Sequence, residues 1–258
     1  MLIRENFKGE QIMAYGDIKW KVTFIVHRQK KGKEPYFQIF ELEVDPEEYV
    51  LDGVERIWAY HDRSLTFQHA CHHSTCGACG MRVNGKEKLT CITKIKDVTQ
   101  DGGTLKIEPL RNFPVVSDLV PDLGKLYVRM ELVEAKQIVS LAEAPLTKEV
   151  KRIEDPKAKE EFRLGDCIEC GLCISACPVV GTAEEYLGPA VLAAAQQQFP
   201  EKFQKLLPLV DCANGVWRCH SAYECTEVCP SNVEPGWRIM DLRKQVIAHN
   251  IRKLFGLE

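Results

Sequence analysis

Residues 167–178 of the chain read CIECGLCISACP, which places four cysteines within eleven positions and ends on a proline. The cysteines follow a C-x2-C-x2-C-x3-C-P pattern. This pattern binds 4Fe-4S clusters in pairs, and its fourth cysteine binds the cluster of the other copy. The stretch therefore predicts a 4Fe-4S cluster and requires a second copy of the motif in the same chain.

The second copy is residues 219–230, CHSAYECTEVCP, with Ala222 at the middle cysteine position. The crossed arrangement predicts a 4Fe-4S site formed by Cys167, Cys170, Cys173 and Cys229. It leaves a second site formed by Cys177, Cys219 and Cys225. Because the methyl group of Ala222 cannot bind iron, three thiolates predict a 3Fe-4S cluster there. Cys212 is interpreted as a small apolar thiol, and a role as a fourth ligand is the alternative.

A different cysteine pattern lies in residues 71–91, CHHSTCGACGMRVNGKEKLTC. Its C-x4-C-x2-C spacing with one remote cysteine is that of plant-type 2Fe-2S sites. The predicted ligands are Cys71, Cys76, Cys79 and Cys91. Gly77 and Gly80 fit this interpretation, because a loop around a cluster needs positive φ angles and backbone amides close to sulfur.

Two alternatives remain open for this loop. A zinc site would use a simpler pair of C-x2-C motifs. A Rieske centre would recruit two of the three nearby histidines, His69, His72 and His73. Since four cysteines already stand at the all-thiolate spacing, we expect the histidines to lie beside the ligands or at the surface.

Composition narrows the class of protein. The chain has 258 residues, 45% of them apolar and 28% charged, with a formal net charge of -3. It therefore lacks the basic excess that attracts nucleic acid. No apolar stretch is long enough to span a membrane or to form a signal peptide, so we expect a reducing compartment. There the twelve cysteines bind metal rather than form disulfides.

Hydrophobic patterning predicts two domains that differ in secondary structure. Alternating apolar residues in 18–26 and 40–44 predict a β-hairpin, and Asp45 with Glu48 predicts a capped helix that follows it. Asn84-Gly85 predicts a tight hairpin turn, and VTQDGGTLKI, residues 98–107, predicts another. Residues 1–115 are therefore expected to be α+β. Residues 116–258 are expected to be mostly helical, including the charged stretch 147–166 and the Ala-rich stretch 188–198.

With both cysteine patterns in view, the sequence resembles the iron-sulfur subunit of succinate dehydrogenases and fumarate reductases. The resemblance extends to RNFPVVSDLVPD, residues 111–122, and LGPAVLAAA, residues 187–195. It implies a β-grasp, plant-type 2Fe-2S ferredoxin-like domain, followed by a helical, bacterial-ferredoxin-like domain with two clusters. The chain would then pass electrons between a partner flavoprotein and a quinone, and would hold no residue that touches the dicarboxylate.

The resemblance also implies partners and a location. FAD would lie on the flavoprotein subunit, and quinone, with or without haem b, on membrane-anchor subunits that hold this chain at the cytoplasmic side of the cell membrane. Pro178 and His220 correspond to positions near the quinone. The loop after Cys177-Pro178 lacks the tryptophan of many relatives, which favours menaquinone, or a quinone site deeper in the anchor. A free-standing electron carrier, or a subunit that serves a thiol-disulfide site, is the alternative function, and the direction of the reaction stays open.

Overall fold

The computed structural model describes residues 19–134 and 167–256. The first of these parts is built on a five-stranded mixed sheet. Its strands are β1 (Trp20–Arg28), β2 (Tyr36–Val44), β3 (Gly80–Val83), β4 (Lys86–Leu89) and β5 (Thr104–Glu108). They are arranged in the order β2-β1-β5-β3-β4. Only β1 and β5 run parallel, and the other neighbouring pairs are antiparallel.

The predicted first hairpin is confirmed. β1 and β2 pair along their whole length, from Trp20 opposite Val44 to Arg28 opposite Tyr36. Val22, Phe24 and Val26 are buried, while most of the residues between them are only partly buried, as the alternation predicts. This buried face packs against helix α1 (Val50–Arg56) and forms the core of the first domain.

The predicted start of that helix is wrong by four residues, because the N-cap is Tyr49 and not Asp45. Asp45 and Glu48 do form a reciprocal contact, because the Asp45 N–H donates to Glu48 Oε2 at 3.1 Å and the Glu48 N–H donates to the Asp45 carbonyl at 3.0 Å. They close a turn, however, because Tyr49 is extended and forms a bridge with Lys94. α1 begins only at Val50 and continues as a π-helical turn, Ile57–His61.

One of the two predicted tight turns is a hairpin. Asn84 and Gly85 both have positive φ and join β3 to β4, as predicted. The hairpin predicted for residues 98–107 is wrong: a short 3-10 helix, Ile95–Asp97, precedes the turn, and β5 pairs with β1 and β3 instead. Local turn chemistry does not reveal which distant strand supplies the pairing.

The second part is helical, as expected. A small β6–β7 hairpin (Val115–Ser117 and Val120–Pro121) leads into it. The helices are α2 (Gly124–Leu132), α3 (Leu172–Ala176), α4 (Pro189–Val210), α5 (Glu224–Glu227) and α6 (Pro235–Leu254), with a 3-10 turn at Val216–Arg218. The Ala-rich stretch forms the start of α4, which bends at Lys202, two residues after Pro200. The helix expected in residues 147–166 lies outside the described residues.

α4 and α6 pack together around the second core. A third apolar cluster joins the two parts, because Leu172 of α3 packs with Leu51, Leu89 and Leu110 of the first part. The α+β architecture with a following helical domain is thus confirmed, while the boundary at residue 115 stays a prediction. None of the helices in the described parts is both long enough and apolar enough to cross a membrane.

Candidate metal centres

The first cysteine group lies in the loop between α1 and β3. Backbone N–H groups of His73, Thr75 and Cys76 donate to the sulfur of Cys71 at 3.5, 3.2 and 3.3 Å. These hydrogen bonds from His73 and Cys76, together with that from Thr75, lower the pKa of Cys71 to about 6. The loop backbone therefore stabilises a thiolate, which is the form that binds iron.

The other predicted ligands of this group converge on the same place. Cys79 and Cys91 are buried, and burial followed by the nearby Cys79 and Cys71 sulfurs raises the pKa of Cys91 to about 12. Cys76 is exposed and lies within hydrogen-bonding reach of Cys71. The structure thus brings together all four cysteines that the spacing singled out, from a loop and from the turn after β4.

The second group surrounds a small cavity beside α3. Four cysteines line it: Cys167, Cys170, Cys173 and Cys229. Burial, with Cys167 and Cys229 nearby, raises the pKa of Cys170 to about 12. The Val233 N–H donates to the Cys229 sulfur at 3.4 Å. Cysteines from the two ferredoxin-type motifs therefore meet here, as the crossed pattern predicts.

The third group surrounds a neighbouring cavity. It is lined by Cys177, Cys219 and Cys225, together with Pro178, His220 and Ala222. Cys212 does not line it, and its thiol donates instead to the Leu209 carbonyl at 3.3 Å. The methyl of Ala222 stands beside three thiols with no fourth sulfur among the described lining residues. This donor set fits a three-iron cluster.

The sequence analysis missed one residue at this third group, Tyr186. Its side chain is only 1% exposed, and burial followed by the nearby sulfurs of Cys219 and Cys177 raises its pKa well above the ordinary value. The phenol is close enough to the Cys219 sulfur for a hydrogen bond to contribute to this rise. A neutral O–H group therefore lies beside the sulfur of a predicted ligand. No motif pointed to Tyr186, since a lone tyrosine carries no spacing signal.

Two residues of the segment between the domains form hydrogen bonds with the end of α3, next to Cys177. The Asn112 side-chain amide donates to the Ile174, Ser175 and Cys177 carbonyls at 2.8, 3.1 and 3.1 Å. Arg111 Nε donates to the Ser175 carbonyl at 2.7 Å. These contacts satisfy the free carbonyls at the end of α3 and hold the segment that presents Cys177. They give a structural reason for the RNFPVV segment noted in the sequence.

The three groups form a connected series. A Cβ atom at Gly77 would lie 2.7 Å from Cβ of Cys170, so the 2Fe-2S loop touches the second group directly. Cys173, which is partly buried, lies within electrostatic range of Cys225 in the third group. The 2Fe-2S loop therefore lies beside the cavity of the second group, and that cavity lies beside the cavity of the third group.

The chemistry of these donors fits iron-sulfur clusters. All twelve cysteines lie in the described parts and are free of disulfides. Buried thiols with raised pKa values are unfavourable as isolated thiolates, and a bound metal supplies the compensating positive charge. The ring nitrogens of His69 and His72 lie 3.1 and 3.4 Å from Glu55 Oε1, and the His73 ring contacts the Cys71 carbonyl.

Comparison with protein families agrees with this geometry. Residues 23–128 match the family described as a 2Fe-2S iron-sulfur cluster binding domain. Residues 163–233 match the family described as a 4Fe-4S dicluster domain. The fold and the cysteine sites thus define an iron-sulfur protein with one 2Fe-2S domain and one dicluster domain.

Relatives specify the family. The fumarate reductase iron-sulfur subunit of Mycobacterium tuberculosis is 32% identical over 88% of this chain and 93% of its own length. That of Haemophilus influenzae is 34% identical over 83% and 88%. The mitochondrial succinate dehydrogenase [ubiquinone] iron-sulfur subunit of Candida glabrata is 31% identical over 87% and 90%. The chain belongs to the family of iron-sulfur subunits of succinate dehydrogenases and fumarate reductases, which are oxidoreductases.

A solved structure supports the fold independently. A chain in the Mycobacterium smegmatis Sdh1 complex in the apo form aligns with a TM-score of 0.72 over 90% of this chain and 98% of that chain. The sequence identity of the pair is 24%. The two-domain arrangement is therefore retained at low sequence identity.

Proposed function

We propose that this chain transfers single electrons between the FAD of a partner flavoprotein, which interconverts succinate and fumarate, and a quinone at a membrane-anchor subunit. The proposed 2Fe-2S ligands are Cys71, Cys76, Cys79 and Cys91, the 4Fe-4S ligands Cys167, Cys170, Cys173 and Cys229, and the 3Fe-4S ligands Cys177, Cys219 and Cys225. When bound, such clusters accept and release one electron at a time. The dicarboxylate chemistry belongs to the flavoprotein partner.

The observation that supports this proposal is the connected series of cysteine groups. Contact of Gly77 with Cys170, and proximity of Cys173 to Cys225, support one order of the three proposed sites along the molecule. A free-standing carrier needs one site only. A series that runs from one domain into the other instead suits a chain that docks to one partner at each end.

The exposed end of the series offers a docking face. Pro178, His220 and Ala222 are exposed and line the cavity of the third group. Trp237 is 59% exposed and packs on Tyr223, another residue of that cavity wall, with ring centroids 4.6 Å apart. Exposed aromatic side chains are typical of surfaces that bind partners or membrane interfaces. We propose that this face meets the anchor subunit, which holds the chain at the cytoplasmic side of the membrane.

Menaquinone is the proposed quinone, because the loop after Pro178 contributes no tryptophan. Two exposed tryptophans near the third group lie in other elements: Trp217 is in a 3-10 turn and Trp237 is in α6. The direction of the reaction follows from cluster potentials, which depend on hydrogen bonds to sulfur and on burial.

Electron paramagnetic resonance on the native complex tests the three-iron assignment. The air-oxidised complex is expected to contain about nine iron atoms per copy of this chain and to show a signal of the oxidised three-iron cluster, which disappears on mild reduction. Ala222→Cys supplies a fourth thiolate, so this oxidised signal should be lost and the potential of the cluster should fall. Quinone reduction should then slow, while succinate oxidation by a dye that reacts at the flavin should persist.

Cys212→Ala is the matched control, and it should leave the oxidised signal unchanged because its thiol bonds Leu209. Loss of the three-iron signal in Cys212→Ala would instead make Cys212 a ligand. Purification of the chain from native membranes without flavin or quinone-linked activity would contradict the proposed role as a whole.

A further inference from the structure

Three side chains outside the cysteine groups converge beside the 2Fe-2S loop. Glu55 projects from α1, while His69 and His72 belong to the loop that precedes β3. The His69 Nδ1 and His72 Nε2 atoms are 2.9 Å apart. They lie 3.1 and 3.4 Å from Glu55 Oε1. Two nitrogens and one oxygen thus form a compact triangle.

The edges of this triangle have the lengths expected around one metal ion. Zinc binds histidine nitrogen and carboxylate oxygen at about 2.0–2.2 Å, which places neighbouring ligand atoms about 2.9–3.5 Å apart in tetrahedral or octahedral geometry. Two histidines and one carboxylate are also a common set for catalytic zinc and for mononuclear iron. All three observed distances fall within this interval.

Hydrogen bonds among the three side chains do not satisfy all three atoms of the triangle. Glu55 Oε1 is buried and accepts no hydrogen bond of normal geometry from any residue of the described parts, although both ring nitrogens are close. A hydrogen on His69 Nδ1 can point to His72 or to Glu55, but not to both. A buried carboxylate oxygen without a donor is unfavourable. A cation at the centre of the triangle would satisfy all three atoms.

The surroundings hold the two histidines in place. The His69 ring stacks on Phe67 at 5.2 Å, and Phe67 packs edge to face on Trp58 at 6.4 Å. His72 has a φ of 58°, a left-handed conformation that non-glycine residues rarely adopt. Such backbone conformations occur where the surrounding structure requires one side-chain position.

We propose that Glu55, His69 and His72 bind one divalent transition-metal ion, for which Zn²⁺ is the probe. The site is separate from the cysteine clusters and does not depend on the proposed electron-transfer function. It would tie α1 to the loop that carries Cys71, and it leaves one or more coordination positions to water, because two of its three residues are exposed.

Metal analysis of the cluster-loaded full chain tests the proposal. The protein is washed with EDTA, incubated with Zn²⁺ and desalted, and zinc and iron are counted on the same sample. About one zinc per chain is expected at unchanged iron content. Zinc-edge X-ray absorption should show nitrogen and oxygen ligands at about 2.0–2.2 Å and no sulfur at about 2.3 Å.

Glu55→Gln and His69→Gln should each abolish retention of the zinc. His73→Gln is the matched control, since it removes a histidine of the same loop outside the triangle, and it should keep the zinc. The 2Fe-2S absorption spectrum of each variant reports whether the loop is still folded. The proposal is overturned by the absence of retained zinc in the iron-replete parent, by sulfur ligation of the zinc, or by equal retention in parent and Glu55→Gln.

Discussion

At the scale of single residues, hydrogen bonds to sulfur distinguish cysteines that are proposed to bind the same cluster. Cys71 receives three backbone N–H groups, and its pKa falls to about 6. Cys91 is buried, and its pKa rises to about 12. One side of the proposed 2Fe-2S site is therefore polar and near the surface, while the other is apolar.

Tyr186→Phe is predicted to lower the reduction potential of the third cluster. The buried phenol O–H is close enough to form a hydrogen bond with the Cys219 sulfur, and such a donor stabilises the more negative, reduced state. Redox titration of the three-iron signal measures the shift. Tyr60→Phe is the control, because Tyr60 is 84% exposed. An unchanged potential in Tyr186→Phe would mean that this hydrogen bond does not tune the cluster.

At the scale of elements, two loops meet through glycine. Gly77 has a φ of 72°, and a side chain there would collide with Cys170. A Cβ atom at Gly80 would lie 2.8 Å from Cδ1 of Leu172. The 2Fe-2S loop therefore approaches the second motif as closely as a backbone without side chains allows.

Gly77→Ala is predicted to loosen the contact between the first two sites. The left-handed conformation alone costs about 1–2 kcal/mol for alanine, and the clash with Cys170 adds to it. Gly102→Ala is the matched control, since Gly102 has a φ of 71° with no atom within 4 Å of the added Cβ. Urea unfolding should show a larger loss for Gly77→Ala, together with lower 2Fe-2S content. Equal losses in the two variants would show that only backbone strain matters.

A buried carboxylate connects the elements that lead into the same loop. Asp118 is completely buried and accepts from Lys30 Nζ at 2.6 Å and from the Gln29 and Thr66 N–H groups at 2.9 Å. Arg28 Nε lies 3.3 Å away. Burial alone would raise the pKa of Asp118, but the bonds from Lys30, Thr66 and Gln29 lower it below the ordinary value.

Asp118→Asn is predicted to reduce the free energy of unfolding by about 3–5 kcal/mol at pH 7, because it removes the buried anion that pairs with the buried Arg28 and the partly exposed Lys30. Since the folded-state pKa of Asp118 is lowered, its stabilisation is complete above the unfolded value of about 3.9 and is lost as the pH falls through the folded value. The difference between parent and variant in urea unfolding should therefore shrink below about pH 4.

The control for this prediction is Asp101→Asn. Asp101 is exposed and accepts only the Lys21 N–H in a described hydrogen bond, at 2.8 Å, so the change should be below about 1 kcal/mol. A difference between parent and Asp118→Asn that stays constant from pH 7 to pH 3 would contradict the proposed ionic origin.

At the scale of the whole molecule, an apolar cluster joins the two domains, and Leu172 is its buried member from the second domain. Leu172 is 1% exposed and packs against Leu51, Leu89 and Leu110. The buried hydrogen bond from Ser175 Oγ to Glu87 Oε1, 2.8 Å long, lies at the same junction. The first two cluster sites therefore keep their separation only while this junction is intact.

Leu172→Ala is predicted to destabilise the junction by about 2–5 kcal/mol through the cavity that it leaves. In the parent, absorption of the clusters and helical circular dichroism should be lost at one urea concentration. In the variant, the helical domain and the 2Fe-2S domain should unfold in separate steps. Leu132→Ala is the control, as Leu132 is 53% exposed and should change stability by less than about 0.5 kcal/mol.

Features that depend on spacing along the chain were predictable from the amino-acid sequence. The β1–β2 alternation and the Asn84-Gly85 turn are defined by residues close in sequence. The grouping of eleven cysteines was predictable because each spacing is typical of one kind of cluster, and because the two-copy motif implies crossed ligation. The predicted helix start after Asp45 was wrong, because Tyr49 is extended and forms a bridge with Lys94, which belongs to a distant segment.

Features that depend on contacts between distant segments are visible only in the folded structure. Three of them have no local sequence signal: the placement of β5 between β1 and β3, the position of Tyr186 beside Cys219, and the triangle of Glu55, His69 and His72. Each results from packing between residues that are distant in the sequence. Glu55 and His69, for example, are 14 positions apart. The closeness of Cys170 to Gly77 is also a contact between distant segments, and the neighbouring Leu172 packs against the first domain.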